Sequence, residues 1–561
     1  MEQECVVEIS GKNSEGKSES TSGSGIIVNA THGLVISHAS LLYPFTDSHN
    51  PINHADNNNV RYKVLVQTPE KNKKKQVTLN ASSALEKEYN KTLDHVDDNV
   101  LHSKPIKTHY AKNVFIWECK AFKDSLRKLM SKYDGWKFAD DPALSTVKGA
   151  KSQEIEAKDD IDHEKLNSLL SCFIMLKLEN WTSQTSMIDV PVYPSVQLRI
   201  GQTCSVLGTP FGTLSPAVFM NSLSSGIISN VSGVNNALIL TDTRCIPGTE
   251  GGPLCIQKNN HRQIAGLVVT SLCWKTNEWI GLSVACSFSE ILSSLQESLQ
   301  FDESAIIQSI KSRVSTLAVE AKPQQDKQVI NQPDMRSVVF VRAATSWGSG
   351  IVIDGASGLI LTCSHVIKDA KAPAVRVRSH TRLNIWYNVE IVYSTPLSKV
   401  FDVAILKLLN YTPDSLPQAN ICSDVKKGMT VYAVGHALFD SQHNLSPTMT
   451  RGNISTVVSR RHMPVILQSS CAVHSGASGG ALMTPEGLVA GLITCNSRDT
   501  DSGACFPHVN LSVPLPTIWP ILRRYIQNKD VKILKHLNVE DMAIASLWKL
   551  QRYTHQTLSR L

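Results

Sequence analysis

The chain repeats itself, and this constrains its fold more than any other feature. Residues 23–36 read GSGIIVNATHGLVI, and residues 348–361 read GSGIVIDGASGLIL. Each is two apolar runs joined by a Gly-containing turn, the pattern of a β-hairpin. Three more pairs follow in the same order. Phe173-Ile-Met-Leu-Lys-Leu178 matches Val403-Ala-Ile-Leu-Lys-Leu408, Gly226-Ile-Ile-Ser-Asn-Val231 matches Gly452-Asn-Ile-Ser-Thr-Val457, and Gly248-Thr-Glu-Gly-Gly-Pro-Leu254 matches Gly476-Ala-Ser-Gly-Gly-Ala-Leu482. Four matches in one order mean two copies of one fold. Within each copy, short β-branched runs recur about every ten residues between Gly, Asn and Asp turns, which argues for an all-β barrel or sandwich.

The copies differ in length. The first two matches start 150 residues apart in the N-terminal copy (23 to 173) and 55 apart in the C-terminal one (348 to 403). The N-terminal copy therefore carries an insert, placed at about 45–165 and rich in Lys, Asp and Asn. One amphipathic stretch within it, Asn113–Lys132, is expected to be helical. Ser287–Val319 also reads as helix, Glu320–Asp334 as a polar linker, and Pro516–Gln527 as a closing helix. The expected division is a first domain over 1–295, a helical segment and linker over 296–335, a second domain over 336–527, and a tail over 528–561 too short for another domain.

Composition narrows the function classes. With 42% apolar residues among 561, the chain can bury sizeable cores. A net charge of +7 over this length is too dilute to demand nucleic acid, and the densest basic run is the Lys71–Lys75 loop. No apolar stretch approaches the roughly 18 residues of a membrane span; the best is Ile264–Leu272. The N-terminus has acids where a signal peptide needs a basic start and an apolar run. The expectation is a soluble protein made in the cytosol, with no membrane and no nucleic-acid partner. Thirteen cysteines without a CxxC pair or zinc spacing are expected to be reduced thiols, with no metal and no cofactor.

The chemistry sits in the C-terminal copy. Gly476-Ala-Ser478-Gly479-Gly480 puts a serine on a turn whose glycines let backbone N–H groups converge, as an oxyanion hole requires. Upstream, Leu361-Thr-Cys-Ser-His365 ends an apolar strand in a histidine, and Phe401-Asp402-Val403 places an acid at the mouth of a buried one. His365, Asp402 and Ser478 stand in one of the orders known for the serine triad. Carried across the repeat, they correspond to Ser40, Cys172 and Glu250. The N-terminal copy is therefore expected to lack a nucleophile–base pair and to be catalytically dead.

On the motifs GSGIVI, TCSHV, FDVAILKL and HSGASGGAL, residues 336–525 resemble the trypsin-like serine proteases, in the branch of the Deg/HtrA enzymes. The resemblance implies two tandem trypsin-like double β-barrel domains, the first degenerate. It gives Ser478 as nucleophile, His365 as general base, Asp402 as its orienting partner, and the N–H groups of Gly476 and Ser478 as oxyanion hole. The chain departs from secreted members in lacking a cysteine after the histidine and an activation sequence. The resemblance also places Ala472, six residues before the nucleophile, on the floor of the primary specificity pocket and Thr494 on its wall. With no acid there, a small uncharged side chain before the scissile bond fits best, cysteine among the candidates. His474 is expected at the surface rim of the hole.

The last three residues, Ser559-Arg560-Leu561, are a variant of the SKL peroxisomal address. With CAVHSG-x-SGG, PGTEGG and LCWK-x-x-EW, they extend the resemblance to the family of peroxisomal leader-peptide-processing proteases, which has relatives among plant Deg-type enzymes. That resemblance implies a location in the peroxisomal matrix and entry by way of an import receptor. It implies precursors of fatty-acid β-oxidation enzymes as substrates, cleavage after cysteine, self-association, and self-cleavage. Between Pro51 and Leu170 the only cysteine is Cys119, which makes it the expected self-cleavage site unless it is packed in a helix. Two other classes stay open on the residues alone: a Deg/HtrA-like quality-control protease or chaperone, and a non-catalytic peptide-binding scaffold.

Overall fold

The computed structural model describes residues 4–13, 16–46, 60–67, 106–129, 136–138, 168–182, 191–258, 261–275, 278–299, 333–368, 370, 374–439, 445–498 and 505–548. Both copies open with a closed six-stranded barrel of the same strand order. In the N-terminal copy the ring runs Glu4–Lys12, Ser18–Asn29, Leu34–His38, Cys172–Leu178, Ile106–Glu118 and Val60–Gln67. In the C-terminal copy it runs Val338–Ala343, Ser346–Asp354, Leu359–Thr362, Ala404–Leu408, Tyr387–Ser394 and Val375–Ser379. The second halves form six-stranded rings too, each closed by one extra pairing within a continuous 14-stranded sheet. That sheet passes from copy to copy through a single parallel bridge, Glu278 to Cys505. The fold is all-β, two tandem double barrels.

Barrel closure follows from the period-2 pattern. Along Val60–Gln67, Tyr62, Val64 and Val66 point into the first barrel and are buried, while Arg61 and Lys63 lie outward. The fully buried strand Leu34–His38 packs Val35 against Val7, Ile27, Ile174 and Leu176 in the same core.

Two expectations need correction. The insert at 45–165 is not one block, because Val60–Gln67 and Ile106–Glu118 are strands of the first barrel; the additions lie between and after them. Asn113–Lys132 is not wholly helical. Residues 113–118 pair with Cys172–Leu178, and only Lys120–Leu129 is helix, with Phe122, Ser125, Leu126 and Leu129 on its buried face. The strand wins because a ladder partner satisfies its backbone and buries Ile116 and Trp117. In the tail beyond 528, the 3-10 helix Val531–Leu537 and the short α-helix Met542–Trp548 bury Leu534, Leu537 and Ile544.

The helix expected from Ser287 begins there. Ser287 caps Phe288–Ser298 by accepting from Glu290 N, and Phe288, Ile291, Leu292 and Leu295 form its buried stripe. The rest of Ser287–Val319, and the linker up to residue 332, lie outside the described residues. The closing helix spans Leu515–Asn528. Ten of the cysteines have described side chains; all ten are buried and none of them is in a disulfide.

Candidate active site

His365 sits on the short helix Ser364–Ile367, which follows strand Leu359–Thr362. Its backbone N–H donates to Asp402 Oδ1 at 3.0 Å, and its Nδ1 is hydrogen-bonded to Asp402 Oδ2. Two contacts to one carboxylate fix both main chain and ring, which leaves Nε2 as the basic nitrogen. Asp402 is held in turn by its buried neighbours Phe401 and Val403. Thr395 Oγ1 donates to Phe401 O (2.7 Å) and accepts from Val403 N (3.0 Å), while Ser364 Oγ donates to Val403 O (2.7 Å).

Ser478 lies on a turn that only glycine permits. Gly476 has φ +90°, and a Cβ there would sit 2.4 Å from Trp347 Nε1; Gly479 has φ +82°, with a would-be Cβ 2.1 Å from Ser349 O. Ser478 Oγ donates to Thr494 O at 3.0 Å. No hydrogen bond joins it to His365 among the described residues, so nucleophile–base pairing needs a rotation of the serine side chain.

The N–H groups of Gly476 and Ser478 donate to no acceptor among the described residues. The peptide planes that carry them are anchored from behind. Ser475 O accepts from Leu438 N (2.9 Å) and Ala477 O from Gly480 N (2.8 Å). Between them, Ser349 Oγ donates to Gly476 O and accepts from His436 N, both at 2.8 Å. Two anchored donors, two residues apart on one tight turn, suit a developing oxyanion.

Around the expected pocket, Ala472 and Thr494 are both buried at 4% exposure. Ala472 O accepts from Thr450 Oγ1 at 2.6 Å, and Thr494 Oγ1 donates to Leu511 O at 2.8 Å. Asn510, fully buried, donates to Ser469 O and Cys471 O. His474 is not a rim residue as expected: it is 2% exposed, in the turn where Ala477 N donates to its carbonyl. Cys363 Sγ, His365 and Asp402 offer ligand atoms within 4.8 Å of one another. In the structure each is engaged by hydrogen bonding, Cys363 to Ile493 O and the other two to each other.

These features agree with the comparisons. Residues 348–492 match the trypsin-like peptidase domain family. The mouse peroxisomal leader peptide-processing protease is 30% identical over 452 residues, covering 79% of this chain and 75% of that protein. Its human counterpart is 31% identical over 421 residues, covering 74% and 72%. The chain belongs to this family. It is a trypsin-like serine endopeptidase of the peroxisomal type. More distantly, the Arabidopsis thaliana putative protease Do-like 14 is 28% identical over 219 residues, 36% of this chain and 47% of that one. A serine endoprotease from Yersinia pestis overlaps 37% of this chain and 69% of its own, at 24% identity and a TM-score of 0.29.

The N-terminal copy of this protease keeps the scaffold and changes the chemistry. Ser24 Oγ donates to Gly248 O and accepts from Thr209 N, as Ser349 does with Gly476 and His436. Glu250 O accepts from Ser24 N as Ser478 O does from Ser349 N, both at 2.8 Å. Yet Glu250, at the position of Ser478, turns its own Oε2 onto Gly248 N at 2.7 Å. The carboxylate thus occupies the place an oxyanion would take. Cys172, at the position of Asp402, has its thiol pushed up to about 12 by burial.

One expectation for this copy is corrected. A serine–histidine pair does exist, since Ser40 Oγ lies 2.7 Å from His38 Nδ1. His38 replaces Cys363 in the repeat, is fully buried, and has its pKa lowered by desolvation to about 4. A base that weak, beside a turn whose Gly248 N–H already donates to Glu250, is poorly suited to acyl transfer.

Sequence reasoning missed Ser349, His436 and Asn510. The first had a signal, because the Ser of Gly-Ser-Gly recurs as Ser24 in both copies of the motif. Cys119 is buried at the junction of strand Ile106–Glu118 and helix Lys120–Leu129, its sulfur 3.9 Å from that of Cys286. Cleavage after it requires this segment to open. Ser559, Arg560 and Leu561 lie outside the described residues.

Proposed function

We propose that this protease removes N-terminal leader peptides from proteins of the peroxisomal matrix, including β-oxidation enzymes, with residues 336–527 as the catalytic domain and 1–295 as a degenerate partner. The observation that supports the reading is the hydrogen-bonded His365–Asp402 pair together with Ser478 on a turn with two uncommitted, anchored N–H groups. His365 Nε2 takes the proton of Ser478 as Oγ attacks the scissile carbonyl. The tetrahedral oxyanion is held by Gly476 N and Ser478 N, and Asp402 stabilises the imidazolium. The imidazolium then protonates the departing amine, and water, activated by the same nitrogen, releases the acyl-enzyme.

Ala472 and Thr494 bound a pocket without charge, which favours a small side chain such as cysteine before the cut. Entry through the import receptor rests on Ser559-Arg560-Leu561, and the chain is proposed to self-associate. The test is incubation of purified protein with peroxisomal precursors, with new N-termini mapped by mass spectrometry. Leader removal by wild type and none by Ser478→Ala supports the reading. Digestion of unfolded chains without defined termini supports quality control instead, and no cleavage with no fluorophosphonate labelling at Ser478 overturns both.

A further inference from the structure

The N-terminal copy retains a fold it no longer uses for chemistry, and it touches the C-terminal copy at a defined place. Strand Ser222–Ser232 lies against strand Thr448–Arg460, and Ile227 joins the buried core of the C-terminal copy. Asn230, buried at 1% exposure, donates its amide to Ser446 O at 3.0 Å and to Thr448 Oγ1 at 3.2 Å. Asp242 accepts from Ile227 N at 2.7 Å with one oxygen and from Arg451 N at 2.8 Å with the other.

The repeat shows what is special about Asp242. Counting back from the Gly248 and Gly476 turns, it occupies the position of Ser470. Ser470 Oγ accepts from Asn453 N at 3.0 Å, the counterpart of Ile227 N. This local cap is shared by both copies. A serine hydroxyl does no more than cap its own strand, whereas a carboxylate has a second oxygen, and here that oxygen crosses to the other copy.

The residues beside Arg451 are the ones that hold the pocket. Thr450 Oγ1 donates to Ala472 O at 2.6 Å. Gly452 packs so tightly on the adjoining main chain that a Cβ there would lie 2.4 Å from Cys471 N. We propose that the degenerate copy positions the primary specificity pocket of the active one, with Asp242 as the positioning residue that seats residues 450–452 against residues 470–472. The inference rests on the reading of Ala472 as the pocket floor. It gives the N-terminal half a role in selecting substrate, not in the chemical step.

The experiment uses the full chain and peptides that differ only in the side chain before the scissile bond, together with the labelling rate of Ser478 by a small fluorophosphonate. Asp242→Ser keeps the local cap, as Ser470 does, and removes the bridge. It is expected to lower kcat/KM for the preferred side chain about tenfold and to flatten the series, while labelling stays within about twofold of wild type. Asp242→Asn, isosteric and left with one acceptor oxygen, is the second variant if the serine chain does not fold. Ala472→Asp is the control for the pocket and is expected to redirect cleavage toward Lys and Arg. Redirection by Ala472→Asp with an unchanged series in both Asp242 variants overturns the inference and leaves the pocket standing. No redirection overturns the pocket reading itself. Labelling that falls in parallel with peptide hydrolysis assigns Asp242 to overall folding and also overturns the inference.

Discussion

Replacing Ser349 by alanine separates what the shared scaffold does for folding from what it does for catalysis. Ser349 is fully buried, and its hydroxyl serves Gly476 O and His436 N. Alanine leaves both without a partner, and each buried polar group so left costs about 1–3 kcal/mol, giving a loss of about 2–6 kcal/mol. Ser24→Ala makes the same deletion in the N-terminal copy, where Gly248 O and Thr209 N are served in the same way, so the stability cost falls in the same range. The catalytic consequences differ. The Gly476–Ala477 peptide that Ser349 holds lies between the two planes carrying the oxyanion N–H groups. Outright loss of one such donor costs about 100- to 1,000-fold in kcat, so misplacement by a freed neighbour is expected to cost roughly 10- to 100-fold. Chemical denaturation of both variants, with kcat and fluorophosphonate labelling at Ser478, reads out both effects. Full activity in Ser349→Ala, or equal loss of labelling in Ser24→Ala, refutes the reasoning.

Ser478→Ala, His365→Ala and Asp402→Asn should each lower turnover by orders of magnitude, and the triple change little more than the serine change alone, because the three act as a unit; additive losses in kcat count against a triad. Acid should destabilise the fold through two buried neutral histidines, His38 with its pKa lowered to about 4 and His436 with its pKa lowered to about 3. Each keeps its contribution above the unfolded-state value of 6.5 and loses it as pH falls toward the folded-state value, by up to about 1.4 kcal/mol per pH unit. Denaturation midpoints should therefore drop between pH 6 and pH 4, and His38→Gln or His436→Gln should flatten that slope. Deleting Ser559-Arg560-Leu561 should leave the enzyme active and cytosolic by microscopy, and punctate signal after deletion points to another route. Self-cleavage after Cys119 predicts a fragment beginning at Lys120 that is absent from Ser478→Ala; an uncut wild type at high concentration rules it out.

What the sequence by itself determined was everything that recurs locally. The doubled GSG hairpin and the matched strands are short-range patterns, and the order His365, Asp402, Ser478 lies on three of them. Each sits at a strand end where the fold exposes a side chain, so a candidate site was legible before any contact was known. The tertiary structure decided what depends on partners far along the chain. Val60–Gln67 and Ile106–Glu118 become barrel strands inside a polar insert because they complete a ladder, and their few inward residues stand out little from the charged residues around them. Glu250 reads as a lost nucleophile, and only the turn shows its carboxylate on Gly248 N. Asp242 looks like one more polar strand end beside Ser470 until its second oxygen meets Arg451 N, 209 residues away. A local pattern fixes which face a residue takes, whereas a hydrogen bond between distant strands exists only once both barrels are closed and packed.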